Sequence, residues 1–366
     1  MAGPLTGPLT GPVTGVAPGR VNLIGEHLDY NGGACLPIAL TQTTGATVTL
    51  RDDDRVVVSS DDLHWHGAVG ERPAETDSWA AYVVGVLDAL GVEQAMSVDI
   101  TSDVPVGAGL SSSAALECSV AVAVDAVLGL GRSDEELVQA CIRAENEYVG
   151  APTGGLDQTV SVHGEAGHAL LVDFAQGTQE LVPFDPGGHG LGLLVMDTRV
   201  SHAMTEGGYG QRRDECEAAA RRLGVTHLAE AADLEAVNAL EEPLRSRARH
   251  VVSELRRVRS FAEALRAGDW HVLGTLLDAG HLSLRDDFEI SCEELDVAVE
   301  TAREAGAVGA RMTGGGFGGS AIALVPLERV SAVRTAVKNA FVFRGWAEPA
   351  FIEAEPGPGA RVQTSA

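Results

Sequence analysis

Short apolar runs broken by polar residues open the chain. From Val16 to about residue 60, "ACLPIAL", "GATVTL" and "RVVVSS" predict short strands joined by turns. The spacing becomes helical in "SWAAYVVGVLDALG" (78–91), which ends on a glycine, and "MSVDITSDVP" (96–105) reads as a strand again. "ALECSVAVAVDAVLGLG" is apolar on nearly every face and predicts a buried helix. "SDEELVQACIRAENEYVG" predicts a second helix, opened by a capping box of Ser133 and Glu136. Strands are expected at 168–174 and 191–196, with "DPGGHG" (185–190) between them as a boundary. Residues 211–305 read as mostly helical, and "RMTGGGFGGSAIALVP" as a glycine loop running into a strand. Mixed strands with clustered helices predict an α+β chain rather than a doubly wound parallel sheet. The expected divisions are a disordered leader at 1–15 carrying "GPLTGPLTGPVTG", domains at 16–186 and 187–354, and a loose tail at 355–366.

Charge narrows the partners. With 26 basic against 52 acidic residues the formal net charge is −26, which argues against a nucleic acid or an anionic membrane as partner. Any phosphate must then be held locally, by backbone N–H groups, a few arginines or a metal. Lys338 is the only lysine and lies in "AVKNA", which removes P-loop enzymes and protein kinases of the V-A-I-K type. Five widely spaced cysteines without a C-x-x-C suit reduced thiols in the cytoplasm.

Three stretches carry chemistry. "APGRVNLIGEHLDYNGG" bunches Arg20, Glu26, His27 and Asp29 around one bend, more charge than a simple turn requires, and suits a pocket for a hydroxyl-rich ligand. "PVGAGLSSSAAL" (105–116) puts glycines and Ser111, Ser112 and Ser113 where a strand meets a helix N-terminus, an anion-binding arrangement. The glycines at 314, 315, 316, 318 and 319 make a second loop able to approach a nucleotide closely. Glu145 falls on the apolar stripe of its helix with Val138, Cys141, Ile142 and Val149, so it needs a cation: an arginine or Mg²⁺. Asp157 is expected at the mouth of a strand after "GAPTGG", as a candidate base or orienting group for an incoming hydroxyl.

Together "GRVNLIGEHLDYN", "GAGLSSSAA" and "RMTGGGFGG" resemble the three motifs of the galactokinases, within the GHMP kinase superfamily. The likeness extends through "AEN…GAPTGGLDQ", "YGQRRDECE" and "HLSLRDDFEISCEELD", from Val16 to about Ala323. It implies the two-domain GHMP kinase fold, with an N-terminal domain like ribosomal protein S5 domain 2 and a ferredoxin-like C-terminal domain. It further implies phosphorylation of galactose by MgATP. Asp157 would be the proton acceptor and Arg20 the transition-state stabiliser. Glu26, His27, Leu28, Asp29, Gly154 and Tyr209 would bind the sugar. Ser60, Gly107, Ala108, Gly109, Leu110, Ser111, Ser112 and Ser113 would hold ATP, and Ser113 and Glu145 the Mg²⁺. Leu28 stands where the family commonly has threonine, and "TGGLD" where it has "CGIMD". An N-acetylgalactosamine or arabinose kinase, or a non-catalytic galactose sensor, are the alternatives the same resemblance allows.

Overall fold

Long antiparallel pairing at the start of the chain builds the frame for everything else. The computed structural model describes residues 11–74, 78–151, 153–201, 205–231 and 233–363 of the 366. β1 (Val13–Ile24) pairs antiparallel with β2 (Ala34–Leu50), a strand of 17 residues. "ACLPIAL" and "GATVTL" are therefore one strand, because the chain passes an irregularity at residues 40–42 and pairs with β1 again at Thr43 and Thr44 instead of turning. β3 (Arg55–Ser60), β4 (Leu63–Ala68) and β5 (Met96–Ser102) complete the main path, in the order β4-β3-β5-β2-β1. β3 and β5 are parallel and the other pairs antiparallel. β6 (His168–Asp173) adds to β2 through Ala34 and Cys35, and β7 (Thr178–Pro183) to β6. β4 and β7 escaped prediction because each buries at most two residues, leaving almost no apolar alternation to read.

Four helices cover this sheet: α1 (Ser78–Leu90), α2 (Ser112–Leu128), α3 (Asp134–Arg143) and α4 (Leu156–His163). Val120, Val124 and Leu137 from the helices meet Val48, Val58 and Val98 from the strands in one buried cluster. The capping box opens α3 as expected, with Ser133 accepting from the Glu136 N–H and the Glu136 carboxylate accepting from the Ser133 N–H. The helix then widens into a π-turn over Ala144–Val149, a feature frequent at functional sites.

The second sheet has the order β11-β8-β10-β9, all antiparallel, from β8 (Leu191–Ser201), β9 (Gly309–Thr313), β10 (Gly318–Pro326) and β11 (Ala350–Ala354). α5 (Thr205–Leu223), α6 (Leu234–Asn238), α7 (Leu244–Ala267), α8 (Trp270–Asp286), α9 (Glu293–Glu304) and α10 (Val330–Arg344) accompany it. One apolar cluster runs from Val21, Leu36 and Ile38 of the first sheet to Val195, Val251 and Ile322 around the second, so the two share a core.

Both predicted tails are partly ordered. β1 already begins at Val13, inside the expected leader, and β12 (Arg361–Gln363) pairs with Thr14–Val16, inside the expected loose tail. Residues 1–10 and 364–366 lie outside the described residues. Ahead of β12, the N–H groups of Gly357, Gly359 and Ala360 donate to Ala39, Gly164 and Ser161 of the first half, at 2.7–2.8 Å. The chain thus leaves the first sheet near residue 184 and returns to it near 356. Among the described residues no helix is long and apolar enough to cross a membrane.

Candidate active site

The bend between β1 and β2 aims its polar groups at one cavity of about 210 Å³. Arg20, Glu26, His27, Asp29, Asp157 and Tyr209 line it. His27 holds a left-handed backbone (φ 61°), a strained state for a side-chain-bearing residue that persists where surroundings enforce it. Here both ring nitrogens are occupied. A carbonyl only accepts, so Nε2–H donates to Gly315 O at 3.2 Å and Nδ1 accepts from the Tyr30 hydroxyl at 2.8 Å. Burial pushes the imidazole down to about 3, so the ring is neutral. Its faces pack on Tyr209 and Phe288, with centroids 5.1 and 4.8 Å away.

Glu26 is buried against Arg311, and its other oxygen accepts from the Gly314 N–H at 3.4 Å. Arg311 has no exposed surface and also donates to Glu254 at 2.9 Å. Asp29 stands at the mouth. A Cβ on Gly154 would fall 2.0 Å from its Oδ2, so only glycine lets the two segments close. Burial pushes the Asp29 carboxyl up to about 6. The Leu28 side chain, by contrast, has no exposure and packs in the core, so any contact of Leu28 with the sugar would come from its backbone.

The serine loop joins β5 to α2. Ala108 and Leu110 point inward, and the carbonyls of residues 108–110 are all taken. Ser320 Oγ donates to Ala108 O, Arg20 Nη1 to Gly109 O and the Arg20 N–H to Leu110 O, at 2.6, 2.8 and 3.0 Å. With the carbonyls facing protein, Gly107 and Gly109 lie on the exposed side in left-handed conformations. Ser111, the N-cap of α2, is also left-handed (φ 59°) and does not cap, because its hydroxyl donates to Asp157 Oδ2 at 2.5 Å. The first N–H groups of a 17-residue helix therefore receive no side-chain cap, an arrangement that suits an anion. The second glycine loop packs against it, with Gly314 and Gly319 facing Gly109 and Ala108.

Asp157 is in the first turn of α4, not at a strand mouth. Thr159, Val160 and Val162 resemble a strand run, but Gly155 (φ 92°) starts a helix and aims Asp157 at Arg20. The pair is bidentate: Arg20 Nε donates to Oδ1 at 2.8 Å and Nη2 to Oδ2 at 2.7 Å. Glu145, at the head of the π-turn, accepts from Ser113 Oγ at 3.1 Å and Gln158 Nε2 at 2.5 Å. Burial, then the Asp157 charge, pushes Glu145 up to about 7.

Sequence reasoning missed Glu117. It is fully buried one turn beyond Ser113, accepts from Gln158 Nε2 at 3.0 Å and is pushed by burial up to about 10. The signal was there: one of only two carboxylates in a helix that is otherwise largely apolar. Ser60 ends β3 opposite Leu63 and Ile100 and does not line the cavity, so it is not brought to the other site residues.

The comparisons with known proteins agree with this geometry. Residues 9–50 match the galactokinase galactose-binding signature, 81–165 the GHMP kinases N terminal domain and 261–342 the GHMP kinases C terminal family. A galactokinase of Streptomyces coelicolor is 49% identical, over 94% of this chain and 92% of that one. One of Mycobacterium tuberculosis is 45% identical, over 94% and 97%. Among solved structures, Lactococcus lactis galactokinase complexed with galactose superposes with a TM-score of 0.90 at 35% identity, over 96% and 95%. An L. major mevalonate kinase in complex with R-mevalonate shares the fold at a TM-score of 0.67 and 22% identity. Motifs, fold and relatives therefore converge, and the chain belongs to the galactokinases of the GHMP kinase superfamily, enzymes that use a nucleotide.

Proposed function

We propose that the chain transfers the γ-phosphoryl group of ATP to the anomeric hydroxyl of α-D-galactose, giving ADP and α-D-galactose 1-phosphate. The observation that carries this reading is the Arg20–Asp157–Ser111 cluster, standing between the polar cavity and the uncapped end of α2. Asp157 accepts the proton of the attacking hydroxyl, and Arg20 balances the charge that develops beside it. Asp29 and Glu26 orient the sugar, with Gly154 keeping the mouth narrow and Tyr209 forming a wall. His27 holds its ring against Tyr209 while bonded to Gly315. The N–H groups of residues 107–113 hold the phosphates. Phosphoryl transfer depends chiefly on such positioning and charge neutralisation.

The donor set around Glu145 suits Mg²⁺, a hard cation that takes carboxylate and hydroxyl oxygens and keeps most of its shell for phosphate and water. Among the described residues no three metal-ligating side chains converge, which fits a site completed by the nucleotide. Ser113 and Glu145 would hold the ion, and when bound it would neutralise phosphate charge. The five unpaired cysteines, four of them buried, support a cytoplasmic location. We assign the first domain to about 13–186, rejoined by 355–363, and the second to 187–354.

An ADP-release assay across hexoses, with the product anomer checked by phosphorus NMR, tests the reading. Galactose should exceed its C4 epimer glucose by about 10²-fold in kcat/KM, equivalent to about 2.7 kcal/mol. Equal values for both sugars would sink it, and a preference for N-acetylgalactosamine would change the sugar alone.

Two variants refine the assignment. Glu145→Ala should raise the Mg²⁺ concentration needed for half-maximal rate, since Ser113 and the ion lose their carboxylate partner. An unaltered Mg²⁺ dependence would move the metal elsewhere. Asp29 is an ionised acceptor above about pH 6 and becomes protonated as the pH falls through that value. The KM for galactose should therefore climb below about pH 6, and Asp29→Asn should both weaken galactose use and flatten that limb. A wild-type KM that stays level from pH 8 to pH 5 counts against Asp29 as a sugar ligand.

A further inference from the structure

Arg20 and Asn22 stand two positions apart on β1, so their side chains leave the same face of the strand. The pairing with β2 is irregular on both sides of this segment, between Pro18 and Arg20 and between Asn22 and Ile24. Such irregularities re-aim side chains beside active sites. Thr313 Oγ1 fixes the Asn22 carbonyl at 2.8 Å, locking the backbone to the second sheet.

The Asn22 side chain is 2% exposed and lines the cavity that Arg20, Glu26 and Asp29 also line. Among the described residues neither its Oδ1 nor its Nδ2 has a hydrogen-bond partner. A carboxamide offers two donors and an acceptor, and buried groups of this kind are almost always paired. A leucine would fill the same volume without that penalty. An amide kept here, at the wall of a polar cavity, points to a ligand that is both donor and acceptor, as a sugar hydroxyl is.

We propose that Asn22 is a further sugar-contacting and specificity-determining residue, its carboxamide pairing with a ring hydroxyl other than the anomeric one that Arg20 and Asp157 face. The inference rests on the sugar-kinase reading given above. It assigns Asn22 a contact that neither Glu26, tied to Arg311, nor His27, tied at both nitrogens, duplicates.

Calorimetric titration of galactose and of its 2-, 3-, 4- and 6-deoxy analogues into the wild type and Asn22→Leu tests the contact. Asn22→Leu should weaken galactose binding by roughly tenfold or more while leaving the KM for MgATP within about twofold. The wild type should lose affinity for the analogue lacking the contacted hydroxyl, and the variant should bind that analogue and galactose alike. Asn22→Ala takes the place of the leucine variant if the latter does not fold. A variant that binds galactose like the wild type, or that loses every sugar by one common factor, overturns the assignment. Phosphorylation of galactose by the unaltered chain tests the parent reading separately. If that succeeds while the deoxy panel shows no coupling, Asn22 alone is refuted.

Discussion

Asp157→Asn is expected to fold and to bind galactose and MgATP near normally, yet to turn over about 10²-fold or more slowly. The carboxylate of Asp157 receives three donors: two N–H groups of Arg20 and the hydroxyl of Ser111. Asparagine keeps the size but turns one of the two oxygens into an N–H group. Whichever way the amide faces, a donor from Arg20 or Ser111 then meets another donor. The bidentate pair opens, and the proton acceptor is lost together with the partner that aims Arg20. The effect should fall on kcat with little change in either KM, the signature of a contribution made chiefly in the transition state. Turnover within tenfold of the wild type, in protein with a normal melting temperature, would remove Asp157 from the chemistry.

The largest stability effect is expected at Arg311. Its guanidinium has no exposed surface and bridges Glu26 to Glu254. Glu254 keeps two other donors, Arg257 at 2.6 Å and the Gly25 N–H at 3.0 Å, whereas Glu26 keeps backbone contacts alone, its own N–H and the Gly314 N–H at 3.4 Å. Arg311→Met would strand a buried charge, which costs about 3–5 kcal/mol. The pH dependence gives an internal control. Burial already raises the Glu26 carboxyl against the pull of Arg311, and without the arginine it rises further. A carboxyl whose folded value lies above its unfolded one destabilises while it is charged and ceases to as it takes up a proton. The deficit against wild type should therefore shrink from pH 8 towards pH 5. Equal thermal midpoints for variant and wild type at pH 8 would show that the site tolerates the unpaired carboxylates.

The three motifs were legible because glycines, serines and charges packed into a few positions have no simpler use. Arg20, Glu26, His27, Asp29, Asp157 and Tyr209 indeed line one cavity. What the chain hid was relational. Glu117 looked like an interruption in an apolar helix until Gln158 was seen to link it to Glu145. Arg311 sat in a quoted motif, but its two carboxylate partners lie 285 and 57 positions away. Asp157 was expected on the wrong element, because a β-branched run after two glycines favours a strand by composition and Gly155 decided otherwise. Leu28 stands among the site's residues in the chain, although its apolar side chain at that bend had a core to fill.

The double crossing of the chain between its two sheets also sets how they can move. One connection lies near residue 184 and the other near 356, the second secured by three backbone bonds and by β12 beside Thr14–Val16. A body joined to another at one point can swivel and twist freely. Joined at two, it loses much of the freedom to twist. With the shared core and the Arg311–Glu26, Thr313–Asn22 and Ser320–Ala108 bonds beside these two connections, twisting of the glycine loops out of register is opposed. Cutting the chain at residue 355 would release the second connection, and with it part of the torsional stiffness that holds Gly314 against Gly109.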